Sequence, residues 1–174
     1  NLNIEWYALS QICAMCAYDW IYRDLTPGER ESFGLPLFNV MCEIAWHGPG
    51  IREARFRENI SDHKSGCYGI TALPWYIGLT FYKEGFDDSF CEDMLRNGYD
   101  MNQKMTAFRA EMLGSNGGGA SGVPGYALAV YPYAEYNFMY TFQSATGIDV
   151  SQQLDYMTGY LNYMDWIRLP GNKE

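Results

Sequence analysis

Residues 9–30, "LSQICAMCAYDWIYRDLTPGER", decide the fold class. Leu9, Ile12, Cys13, Cys16, Ala17, Trp20 and Ile21, with Trp6 just upstream, recur every three or four residues, which predicts an amphipathic helix over 3–23. "TPGE" then restarts the pattern. Thr26 is a good N-cap, Pro27 suits the first helical position, and Glu29 completes a capping box. A second helix should follow to about Trp46, bent or divided at Pro36.

Outward from this junction the helical pattern repeats. "CYGITALPWYIGLTFYKEG", residues 67–85, reads as an apolar helix kinked near Pro74 and capped at Gly85. Residues 87–113 read as a fourth helix with Phe90, Met94, Met101, Met105, Phe108 and Met112 forming its apolar stripe. After a glycine-rich segment, a fifth helix is expected near 124–145, and "TGIDVS" introduces a sixth at about 150–168. Six helices in succession, with no convincing strand and no solenoid period, predict a single all-α domain of three antiparallel αα-hairpins over residues 1–174.

Composition narrows the function classes. At 174 residues and 48% hydrophobic, the chain has material for a sizeable core. A net charge of −9, from 12 basic and 21 acidic residues, lacks the positive footprint that nucleic acid requires. No apolar run approaches the ~20 residues that span a bilayer, so no membrane partner is expected. Fifteen tyrosines and 5 tryptophans suit either core packing or an amphipathic carbohydrate cleft. Because the chain opens on Asn1 rather than methionine, it reads as a processed product or a piece of something longer.

Most motif readings fail on context. Cys13 and Cys16 form a CxxC without the second pair of ligands that zinc needs, and five cysteines do not indicate a disulfide framework. Gly117, Gly119 and Gly122 satisfy GxGxxG, but a Met-rich helix precedes them where a dinucleotide fingerprint needs a strand. No phosphate-cradle, zinc-protease or serine-esterase motif is present. More informative is the loop bracketed by His47 and His63. It carries Arg52, Arg55, Arg57 and Lys64 against Glu53, Glu58 and Asp62, so four of the 12 basic residues fall within thirteen positions. Such a segment is either a solvated charged loop or a site where His47, Arg55 and Lys64 meet an anionic ligand and a histidine serves as acid or base.

Four landmarks in order, "AYDWIYRDLTPGER", "SDHKSGCYGITALPWYIGLTFYKEG", "GGGASGVPGYALAVYPYAEY" and "ATGID", resemble those of the heparinase II/III-like polysaccharide lyases over most of the chain. The resemblance implies part of an incomplete (α/α) toroid of paired helices, about half of one, with the remainder of the parent chain as its partner. It further implies a cofactor-free β-elimination on an acidic, uronic-acid-containing polysaccharide, and a periplasmic or secreted location. Catalytic roles then fall on His63 and Tyr126. The glycines let a sugar chain approach the backbone and deliver Tyr126 to the cleft. Where some members place an asparagine to neutralise the uronate, this chain has Asp62, which leaves Asn59, Asn116, Lys64 or Arg55 for that task. An arginine that some members carry one turn after the tyrosine is Val130 here. Tyr133, one heptad after Tyr126, is expected to share its face. Two rival readings remain: a hydrolase using Asp62 and Glu135 as its carboxyl pair, and a sugar-binding or structural domain without chemistry.

Overall fold

The computed structural model describes residues 9–47, 73–113 and 131–167. Among the described residues there are six α-helices, two 3₁₀ segments and no strand, so the chain is all-α as expected. The helices are α1 (Leu9–Ile21), α2 (Pro27–His47), α3 (Leu73–Phe81), α4 (Asp88–Leu113), α5 (Tyr131–Thr146) and α6 (Tyr160–Ile167). The 3₁₀ segments are Tyr22–Asp24 and Ser151–Gly159. Contacts group them into two compact units. One holds α1, α2, α3 and α4 as far as Met101; the other holds α4 from Asn102, α5, the second 3₁₀ segment and α6.

Local chemistry sets the helix ends. At the start of α2 the capping box closes: the Thr26 amide donates to Glu29 Oε2 at 2.8 Å, and the Glu29 amide donates to Thr26 Oγ1 at 3.4 Å. Pro36 does not divide α2, which continues to His47; Pro36 and Ser32, the residue whose carbonyl it leaves unbonded, are both exposed. Pro74 is the second described residue of α3, and the residues before Leu73, where the expected kink would have to be read, lie outside the described residues. The turn after α3 uses left-handed backbone at Lys83 (φ 67°) and Gly85 (φ 81°), and the Lys83 amide is held by Asp88 Oδ1 at 2.9 Å. Asp87 caps α4 by accepting from the Phe90 amide at 2.9 Å.

The expected helix at 150–168 is two elements. Leu154 and Tyr156 are both buried although two residues apart, a spacing that a straight α-helix puts on opposite faces. A break at Leu154 (φ −105°, ψ 24°) accommodates both.

In the first unit, α3 packs against α1 and α2. Its core includes Ile12, Met15, Phe38, Met41, Ile44, Leu73, Ile77, Phe81, Cys91 and Met94. The face of α1 that enters this core is not the expected one. Ile12, Met15 and Tyr18 are buried, whereas Cys13, Ala17 and Ile21 are exposed and Trp20 is 81% exposed. Because α1 is apolar around most of its girth, two stripes of equal period compete, and packing against α3 selects the one with Met15. Tyr18, Phe38, Phe81, Phe86 and Phe90 form a ring cluster with centroids 5.3 to 6.2 Å apart, edge-on or tilted.

Glycines let α3 and α4 touch backbone to backbone. A Cβ on Gly98 would lie 2.6 Å from both Trp75 Cα and Trp75 N, and one on Gly78 would lie 2.8 Å from the Leu95 amide nitrogen. Gly98→Ala should therefore destabilise the protein by about 1–3 kcal/mol, because a backbone cannot swing aside as a side chain can. That loss outweighs the ~1 kcal/mol that alanine gains in helix propensity. Urea unfolding measures the balance; a higher midpoint for the variant would mean that the helices can part freely.

Tyr18 donates to the Arg30 carbonyl at 3.3 Å, and the Arg30 guanidinium lies 4.0 Å over the Tyr22 ring. Burial, reinforced by the charge of Glu84, pushes Tyr18 up to about 12 from its usual 10. Tyr22 is raised as well, by burial first, then by its hydrogen bond with Glu84 and that residue's charge. Between pH 10 and about 12 the folded chain thus holds a proton that the unfolded chain releases, so stability falls as pH rises through this window. Urea midpoints of the native chain should drop above pH 10, and Tyr18→Phe should flatten part of the slope. Identical slopes for both proteins would exclude Tyr18 as a source.

In the second unit, Met105, Phe138, Val150, Leu154 and Tyr156 supply the apolar interior. The methionine stripe of α4 is buried at Met94, Met101 and Met105, but Phe108 is half-buried and Met112 is 64% exposed. Arg109 takes over the inward position at this end of the helix.

Candidate functional site

Six of the residues singled out in the sequence, His63, Tyr126, Asn59, Lys64, Arg55 and Asn116, lie outside the described residues, as does Asp62. His47 is the last residue of α2 and Tyr133 the third of α5; their side chains are also outside the description.

What the described residues do contain is a buried polar cluster in the second unit. On α4, Asn102, Met105, Thr106 and Arg109 follow one another at helical spacing and are all buried. On α5, Glu135 and Phe138 form the facing pair, and Tyr156 enters from the 3₁₀ segment. Arg109 Nη1 donates to Glu135 Oε1 in an ion pair whose two side chains are each 2% exposed. Tyr156 Oη donates to the same oxygen at 3.0 Å. Glu135 is thus held from two elements at once. Burial first, and then the charge of Glu135, raises the Tyr156 phenol, with Arg109 opposing; it stays a neutral donor at any physiological pH.

This network is demanding as well as binding. Glu135 Oε2 and Asn137 Nδ2 are buried with no hydrogen-bond partner among the described residues. An ion pair taken out of water recovers its desolvation only with good geometry and full satisfaction of the remaining lone pairs.

Its position along the chain gives the cluster its interest. Arg109 precedes the end of α4 at Leu113 by one turn, and Glu135 follows the start of α5 at Tyr131 by one turn. The pair therefore ties together the two helices that flank the glycine-rich segment carrying Tyr126. The sequence offers Glu135 as packing on the helix that follows Tyr126 or as a hydrolase carboxylate, and it does not single out Arg109 or Tyr156. A signal for Arg109 did exist: it falls four residues after Met105, a charge in line with the methionine stripe.

The cysteines do not assemble a site. Cys13 is exposed and Cys16 half-buried one turn on. Cys42 and Cys91 belong to the first unit's core, where burial above all raises their thiols to about 12 and about 11. They stay protonated and poorly nucleophilic. Cys67 lies outside the described residues. Among the described residues no three His, Cys, Asp or Glu side chains are grouped to hold a metal, and no helix is long and apolar enough to cross a membrane.

No family model matches the chain, and no curated protein or solved structure shows significant similarity to it.

Proposed function

We propose that the chain is part of a polysaccharide lyase of the heparinase II/III-like kind, cleaving uronic-acid-containing polysaccharide by β-elimination within an (α/α) toroid. The observation that carries this reading is the ordered succession of four landmarks in the sequence, the first of which ends on the capping box that opens α2. An all-α architecture is compatible with it.

In this reading the reaction needs three roles. A neutral or cationic group offsets the uronate carboxylate and makes the C5 proton acidic; Asn59, Asn116, Lys64 and Arg55 are the candidates. A base removes that proton, the C5–H electron pair becomes the C4–C5 double bond, and the C4–O bond breaks. An acid then protonates the departing glycosidic oxygen. His63 and Tyr126 divide the last two roles between them, with no cofactor taking part, and Tyr133 and His47 line the sugar path. Such chemistry belongs where the polymer is, in the periplasm or outside the cell.

A sugar-binding role without chemistry is the second reading, favoured by Tyr136 and Tyr140, four residues apart on α5 and 40% and 63% exposed. A hydrolase is less well supported, since Glu135, its one described carboxylate, is buried and already bonded to Arg109 and Tyr156. Incubation of the protein at its full natural length with uronic-acid polysaccharides separates the three. A new ultraviolet-absorbing unsaturated end supports the lyase. Reducing ends without that absorbance mean hydrolysis, and retention on a polysaccharide column with neither product means a binder.

A further inference from the structure

We infer that Arg109, acting through Glu135, is a positioning residue for the first turn of α5, the turn that carries Tyr133; the inference rests on the lyase reading for its catalytic consequence. Three elements meet at one carboxylate oxygen. Arg109 reaches Glu135 Oε1 from α4, and Tyr156 reaches it from the 3₁₀ segment at 3.0 Å. Hydrogen bonds are directional, whereas apolar side chains of the same volume tolerate a helix sliding or turning by a fraction of a residue. Glu135 stands only two residues after Tyr133, so an error in the placement of α5 is passed on to Tyr133 almost undiminished.

The buried charges also make little sense as stabilisers. A buried ion pair contributes no more, and often less, than well-packed apolar residues in its place. What a pair at 2% exposure does supply is a single arrangement of the two helices that carry it.

The test separates position from stability. Arg109→Met combined with Glu135→Leu and Tyr156→Phe removes both charges of the ion pair together with the phenol hydroxyl that shares the carboxylate oxygen. The triple variant is expected to unfold at a urea concentration at least as high as the native protein. Its kcat for uronic-acid polysaccharide should fall about 100-fold, the effect of displacing a substrate contact by about 1 Å. KM should stay within about twofold, since the loss is one of alignment. Native stability together with native kcat would show a merely structural cluster and overturn the inference.

A second readout does not depend on turnover. Fluorotyrosine incorporated at position 133 should give one narrow ¹⁹F resonance in the native protein and a broadened or split one in the triple variant. If the native protein forms no unsaturated product, the lyase reading falls and the fluorine spectra alone decide the positioning role. A single unchanged resonance in the variant would then end it.

Discussion

Methionine in place of Arg109 is expected to lower the unfolding free energy by about 3–5 kcal/mol, the cost typical of removing one partner from a buried ion pair. The guanidinium is 2% exposed and pairs with a carboxylate that is equally buried. Without it, Glu135 keeps the Tyr156 hydroxyl as its described partner and must carry its charge in an apolar interior or take up a proton to fold. Either course costs free energy that the unfolded chain does not spend. Domains of this kind are stable by only about 5–15 kcal/mol, so the variant should be visibly less stable and possess a much lower urea midpoint. The apolar triple variant of the same cluster should recover all of that loss, because the penalty belongs to the orphaned charge and not to the missing attraction. Equilibrium unfolding of the single and triple variants checks both halves. An Arg109→Met protein within 1 kcal/mol of the native one, a bound well below the range expected for a buried pair, would show that water reaches Glu135.

The second large effect is on turnover. His63→Ala and Tyr126→Phe should each abolish formation of the unsaturated product, a loss of about 10²–10⁴-fold for one positioned acid or base. In the lyase reading each substitution removes a proton-transfer group and little else: phenylalanine keeps the ring of Tyr126 and deletes only its hydroxyl. Helicity should be unchanged by circular dichroism in both. A free phenol, with a pKa of about 10, is a weak base near neutral pH, and a free imidazole near 6.5 is a competent one. The pH dependence of kcat/KM therefore assigns the two roles. An acidic limb near 6.5 in the native protein, where activity is lost as an imidazole takes up a proton, makes the histidine the base; an acidic limb governed by a depressed phenol makes it Tyr126. Unaltered turnover in either variant takes that residue out of the reaction.

Much of the helical framework was legible before any coordinates. Thr26, Pro27 and Glu29 announced the start of α2, and the structure closes that capping box through the predicted atoms. The boundary at Asp87 and Asp88 and the left-handed Gly85 and Gly147 likewise fall between helices. The errors have a common origin. Trp20 was assigned inward and is 81% exposed, and Met112 was assigned to the stripe of α4 and is 64% exposed. In each case the helical period was right. What the period cannot say is which neighbour arrives, and on which side. Pro36 shows the same limit for backbone: its local preference allows a break, yet α2 continues through it at an exposed position.

The candidate site was read less well than the fold. His63 and Tyr126 were reached through resemblance, and they lie outside the described residues. Arg109 and Tyr156 were overlooked because a lone arginine on a helix and one tyrosine among 15 carry no motif. Only the carboxylate between them gives them meaning.

The sequence by itself determined the all-α class, the start of α2 and the net charge of −9. These properties arise from interactions that span about four residues or from a simple sum of charges, and both are written in the order of the letters. Tertiary structure alone decided that α1 buries Met15 and turns Trp20 to solvent, and that Glu135 meets Arg109 and Tyr156 across separations of 26 and 21 residues. Burial and buried pairing depend on what the rest of the chain lays over a residue, and that covering exists only once the helices have packed.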